Sequence, residues 1–233
     1  MRIWLNSTKG RKAENEDFIL HQDMGKGKYL CLIADGMGGY ANGKLTAEFI
    51  AVNLSVFLTS QAIINEHIIQ VAINKSNLLL RQAQENGAEV SGATIGGVYI
   101  EKQFAIIFWV GDIKIYHLRG NYVAFENIEH SLIMNLRNKG ITINLEKKLA
   151  YQHMVTKSVH GNVSDSNADF HKVDPLDKED IFVICSDGFQ VHHLKDLILP
   201  KTINNRIQPI NFHEDGRQDD ASIAVLAVHQ NIR

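Results

Sequence analysis

Two apolar runs in this chain stop at an acid followed by a glycine. "LCLIADGMGG", residues 30 to 39, breaks at Asp35 and Gly36, and "IFVICSDGF", residues 181 to 189, breaks at Asp187 and Gly188. A single Asp-Gly is a turn, because the carboxylate bonds nearby backbone and glycine accepts positive φ at little cost. The whole set asks for more than turns. Asn15-Glu16-Asp17 and Asp219-Asp220 also border strand-like stretches. Carboxylates gathered at strand ends repel one another and lose hydration, so such a cluster needs a cation. No Cys-x-x-Cys or His-x-x-x-His spacing beside them offers soft ligands. Oxygen-only ligation favours Mg²⁺ or Mn²⁺ over Zn²⁺. The glycines let the backbone approach an ion, which makes the Gly36 carbonyl a candidate ligand itself.

Rigid elements must hold these acids in place. "DFILH", from Asp17, reads as a short strand, and "KYLCLIA" as a strand buried on both faces. Leu45, Phe49, Val52 and Val56 recur at i, i+4, i+7 and i+11, the apolar stripe of a helix. A second helix is expected over about residues 62 to 86, with a stripe through Ile64, Ile68, Val71 and Leu78. Residues 91 to 125 are β-branched, aromatic and punctuated by glycine, which predicts three or four antiparallel strands with tight turns. Residues 130 to 150 read as helical or irregular, and "DFHKVDP", "DIFVICSDG" and "DASIAVLAVH" as further strands. The expected class is α+β, a sandwich of two antiparallel β-sheets flanked by α-helices, in one domain over residues 1–233.

Composition narrows the partners. The chain has 233 residues, 45% hydrophobic and 21% charged, enough to bury a sizeable core. A net charge of −2 gives no broad basic field for nucleic acid or anionic lipid. "MRIWLNSTKGRK" contains no long apolar core of a signal peptide, and no apolar run approaches the ~20 residues that cross a bilayer. Cys31 and Cys185 sit inside apolar runs, which speaks against a disulfide framework and for a reducing cytoplasm. The expected protein is a cytoplasmic monomer.

Taken in order, the motifs resemble the metal-dependent Ser/Thr protein phosphatases of the type 2C class, in a compact bacterial form. The pieces are "ENEDF" at 14–18, "ADGMGGYANGKLTA" at 34–47, "SGATIGGVYI" at 91–100, "VGDIKIYHLRG" at 110–120, "EHS" at 129–131, "CSDGF" at 185–189 and "DDASIAVL" at 219–226. The resemblance implies hydrolysis of phosphoserine and phosphothreonine in proteins by a water activated between two Mn²⁺ or Mg²⁺ ions. It implies a phosphoprotein substrate and a cognate Ser/Thr kinase as partners. By position, Asp35 would bridge the ions, Gly36 would offer its carbonyl to one, and Asp187 and Asp219 would hold the other. Asp17 and Glu16 would act from the edge, partly through water, and Asp112 with Asp187 could hold a third ion.

The departures from the family pattern matter as much. Where the family has a phosphate-clamping arginine, this chain has Lys12, preceded by Arg11. A one-residue insertion would return the role to Arg11, or Lys12 would act as a point charge with less geometric selectivity; the planar guanidinium of Arg11, which grips two oxygens at once, is the expected stronger clamp. Met37 stands where some members carry a histidine, and it cannot transfer a proton. The stretch from Phe189 to Asp219 is short. His130 is expected to order a loop, His192-His193 to be solvated, and "GATIGG" to serve close strand packing. Two other readings stay open: a binding or sensor module for a phosphoprotein with little turnover, and a hydrolase of small phosphate esters.

Overall fold

A computed structural model describes residues 1–37, 42–89, 91–120, 122–162, 166–189 and 219–228. Three strands open the chain: β1 (Arg2–Thr8), β2 (Asp17–Gly25) and β3 (Lys28–Gly36). Helices α1 (Gly43–Thr59) and α2 (Glu66–Glu85) follow, and then strands β4 (Ala93–Glu101), β5 (Phe104–Val110), β6 (Lys114–Arg119) and β7 (Tyr122–Glu126). Two short helices, α3 (Leu132–Asn138) and α4 (Leu145–Tyr151), precede β8 (Asp169–Val173), β9 (Asp180–Cys185) and β10 (Ala221–Ala227). The strands form two five-stranded sheets, ordered β1-β10-β9-β6-β7 and β2-β3-β4-β5-β8. Every pairing is antiparallel.

The continuous apolar runs have a simple cause: the central strands are covered on both faces. In β3, Leu30, Leu32 and Ala34 pack beneath α1 and α2, while Cys31 and Ile33 meet the opposite sheet. In β9, Phe182 and Ile184 point into the space between the sheets, and Ile181, Val183 and Cys185 point outward into a further buried cluster. In β4, a side chain on Gly96 would reach within 2.3 Å of Ile113, so the sheets meet closely only because that residue is glycine. This accords with the packing role expected for "GATIGG".

The two long helices exist where expected, but each turns a different face inward. In α1 the buried residues are Gly43, Thr46, Ala47, Ile50, Ala51, Leu54, Ser55 and Leu58. Three of the four residues of the predicted stripe are exposed instead, Leu45 at 57% and Val56 at 65%, and only Phe49 packs partly buried against the core. The helix is apolar on both sides, and the face with Ala47, Ala51 and Ser55 lets its axis come closer to the sheet, gaining dispersion contacts that bulkier residues would block. In α2 the buried set is Ile69, Ala72, Ile73, Ser76, Asn77 and Leu80; of the predicted stripe, Ile64 is buried just before the helix and Ile68 packs against the core, while Leu78 is exposed. Asn65 caps α2 through its side chain, which accepts a 2.9 Å bond from the Ile68 amide.

Candidate metal centre

The acids are brought together by strand register. Asp17, first residue of β2, lies directly opposite Asp35 near the end of β3, and Asp35 lies opposite Thr94 in β4. From the other sheet, Asp187 follows the end of β9 and Asp219 precedes β10. The two sheets are stitched where they meet. The Ser186 hydroxyl donates to Asp17 Oδ2 at 2.8 Å and accepts from the Ser222 amide at 2.9 Å. Close backbone approaches complete the framework: a side chain on Gly36 would collide with the Gly43 carbonyl at 2.3 Å, and one on Gly10 with the Asp219 backbone at 2.4 Å.

Asp219 and Asp220 do different work. Asp220 is buried, and its carboxylate accepts from the amides of Gly10 and Glu16 at 2.8 and 2.9 Å. It therefore braces the loop that carries Lys12 and Glu16. Asp219 turns to the cavity.

That cavity, of about 310 Å³, is lined by Asp35, Gly36, Asp112, Asp187 and Asp219, together with Lys12, Met37, Thr94, His153 and Val155. Of the residues singled out in the sequence, Asp17 and Glu16 are not part of the lining. Asp17 is buried, its Oδ1 has no hydrogen-bond partner, and Glu16 reaches the site through an ion pair with Lys12. Arg11 is exposed and outside the lining. Lys12 is inside it, with Nζ 2.8 Å from Glu16 Oε2 and 2.9 Å from Asp219 Oδ1. His192 and His193, and the short stretch after Phe189, fall among residues 190–218, outside the described residues.

Crowding shows in the proton affinities. Burial, reinforced by neighbouring acids, pushes Asp17 up to about 6 and Asp112 up to about 7. Burial and the charges of Asp17, Asp187, Asp112 and Asp219 hold Asp35 well above the usual carboxylate range. Partial burial works against the Lys12 ammonium, but Glu16 and Asp219 outweigh it and raise its pKa.

Strand β9 supplies an internal contrast. At its start Asp180 is fully buried, yet Arg119 Nε and Nη2 meet its two oxygens at 2.7 and 2.8 Å, His117 lies at 2.8 Å and the Asp177 amide at 2.6 Å. The protein has satisfied that acid with its own cations, and its pKa is lowered accordingly, against the pull of burial. At the far end the acids of the cavity share Lys12 and His153 among the described residues. An orphaned, buried carboxylate oxygen and an excess of acids are what divalent cations with a taste for oxygen would satisfy.

His153 carries no sequence signal: it is a lone histidine just past the stretch, residues 130 to 150, that reads as helical or irregular. It arrives by a detour. Residues 132–153 leave and return through a narrow neck, where the Leu132 amide bonds the Met154 carbonyl at 2.8 Å and the Thr156 amide the His130 carbonyl at 2.7 Å. Neither α3 nor α4 buries a residue, so the neck positions this excursion. His153 Nδ1 ends 3.5 Å from Asp187 Oδ2, and that carboxylate raises its pKa. His130, by contrast, stacks on Trp109, accepts from the Gly111 amide at 3.0 Å, and so orders the neck.

The comparisons agree with this architecture. A family model described as Protein phosphatase 2C matches residues 6–224, and the chain belongs to that family. It is thus a protein phosphatase, a phosphoric monoester hydrolase. The chain is 27% identical over 198 residues to protein phosphatase PhpP of Streptococcus pneumoniae, covering 81% of this chain and 78% of that one. It is 24% identical over 245 residues to the serine/threonine phosphatase stp of Listeria welshimeri, covering 97% and 91%. Among solved structures, a bacterial serine phosphatase superposes with a TM-score of 0.78 at 20% identity over 99% of both chains. The catalytic domain of the phosphatase PstP, solved with 2 manganese ions, gives 0.77 at 18% identity over 98% of both. At these identities the structures speak for the fold, the α+β sandwich of two antiparallel sheets.

Proposed function

We propose that this chain hydrolyses phosphoserine and phosphothreonine in proteins at a centre of two divalent cations, Mn²⁺ or Mg²⁺, with room for a third beside Asp112. The convergence of Asp35, Asp112, Asp187 and Asp219 on one cavity, from both sheets, carries the reading. Asp35 and the Gly36 carbonyl would hold one ion, Asp35, Asp187 and Asp219 the other, and Asp17 and Glu16 would brace them from behind. Bound there, the cations acidify water and neutralise the charge on phosphoryl oxygens. The 2 manganese ions of the PstP structure and the names of the bacterial relatives support the assignment.

The chain's own groups divide the remaining tasks. Lys12, on the cavity wall, offers a fixed positive charge to the phosphate; Arg11 would have to swing in from outside. Neither cysteine can act as the nucleophile, because burial pushes both the Cys31 and Cys185 thiols up to about 12. Asp187 and His153 are exposed at the mouth, which suits a phosphorylated loop of a protein better than a small ester needing enclosure. A second cavity of about 300 Å³ shares Asp112 and Asp187 and carries Arg137 and Lys148, where residues flanking the phosphoryl group could lie. Among the described residues no helix is long and apolar enough to cross a membrane. Two free, buried cysteines suit a reducing cytoplasm. The implied partner is a Ser/Thr kinase that makes the substrate, and the chain would act as a monomer.

Turnover of a phosphothreonine peptide and an aryl phosphate, with Mn²⁺ and with excess chelator, tests the proposal. Chelation should abolish both activities and lower Tm, and Mn²⁺ should restore both, stabilising by roughly 2.7 kcal/mol at a hundredfold excess over Kd. Full activity in chelator, or binding of fewer than two ions, would defeat it. Tight binding of two ions without turnover of any phosphoester would favour a sensor.

A further inference from the structure

We propose that His153 ligates, through Nδ1, the cation held by Asp187 and Asp219, so that this centre carries a nitrogen donor among its carboxylates. The inference rests on the metal-centre reading above and deepens it. One ligand atom from each of His153, Asp187 and Asp219 lies within 4.8 Å of the others. Donors about 2.1 Å from a common ion lie about 3 Å apart when adjacent and a little over 4 Å apart when opposite, so small side-chain rotations close the set. The imidazole is already aimed. Its Nε2 is 2.9 Å from the side-chain nitrogen of Gln152, which leaves Nδ1 facing the acids. With a metal on Nδ1, Nε2–H donates, and the Gln152 amide turns to present its oxygen, the outer partner that fixes a ligating histidine. The neck at Met154 and Thr156 holds the residue over the cavity from outside the sandwich.

A nitrogen donor changes what the centre selects. Imidazole suits Mn²⁺ and later transition metals better than Mg²⁺, which keeps oxygen ligands and water. The alternative is an ordinary His–Asp ion pair that a metal would simply displace. Pulsed electron paramagnetic resonance of the full chain loaded with Mn²⁺ separates the two. A directly bound imidazole couples its nitrogen to the manganese electrons, and the wild type should show that coupling while His153→Ala and His153→Gln should not. The side chain is 61% exposed, so neither substitution threatens folding. Calorimetric titration should show Mn²⁺ affinity falling by at least about tenfold in both variants, the loss known even for outer partners of metal ligands, with Mg²⁺ affinity changing far less. Wild-type protein that binds two Mn²⁺ without nitrogen coupling, or variants that bind Mn²⁺ as tightly as wild type, would overturn the ligand assignment alone. Wild-type protein that binds no Mn²⁺ would overturn the metal centre and the ligand with it.

Discussion

Lys12 holds the place of an arginine, and its ammonium already spans Glu16 and Asp219. A lysine is a point charge without the guanidinium's bidentate grip, so it should bind phosphate with less geometric selectivity. Lys12→Ala should raise KM for a phosphothreonine peptide by about tenfold, the loss of one charge-assisted bond, while Arg11→Ala stays within about twofold. Steady-state kinetics of the two variants decide it, and the reverse order would restore Arg11. Asp112 makes a second prediction. In the metal-free protein its pKa of about 7, against 3.8 unfolded, means that the folded chain keeps a proton the unfolded chain has released. The stability this confers is present below about pH 4 and is lost as pH rises through 7. Asp112→Asn should therefore melt with wild type only near pH 3.5 and increasingly above it as pH rises, by on the order of 5 °C near pH 8, both in chelator. Equal Tm values across that range would show that Asp112 is not crowded. The acids were legible in the sequence because each borders an apolar run, Asp35, Asp112 and Asp187 after it and Asp17 and Asp219 before it. His153 was not, because a detour through the neck, and no local spacing, brings it to Asp187.

At the scale of elements, the central strands were legible for the same reason that they are buried: both faces are covered, so the runs are unbroken and their ends sharp. The helices were legible in extent but not in orientation. In α1 periodicity allowed two answers, a stripe of large residues and a stripe interleaved with small ones, and tertiary packing chose the second. Leu54, fully buried, and Val56, exposed, separate the answers. Leu54→Ala should cost about 2–4 kcal/mol, as for deletion of buried methylenes, and Val56→Ala no more than about 0.5 kcal/mol. Denaturant titrations of both variants check this, and a larger loss at Val56 would mean that the outer stripe is covered in solution.

Across the whole molecule, β9 runs from Asp180, an acid the protein neutralises, toward Asp187, an acid that faces the cavity. The two ends should respond in opposite ways to loss of charge. Asp180→Ala strands Arg119 and His117 and should cost about 3–5 kcal/mol, the loss seen when a buried pair is broken. Asp187→Asn should lower turnover by orders of magnitude, yet its metal-free form should melt no lower than metal-free wild type, since one repelling charge is gone. Calorimetric melting in chelator reads both, and a marked loss at Asp187→Asn would mean that the carboxylate is structural. The sheets also differ in how they are strung. Strands β2 to β5 neighbour one another in chain order, whereas β1 must wait for β10, and Arg2 pairs with Ala227. On the ribosome, then, most of one sheet can assemble from contiguous chain while β1 stays unpaired until β10 has been made. The cavity gains Asp219 at the same late moment. On the proposed function, turnover would therefore switch on only at that moment, in a single step of assembly rather than by degrees.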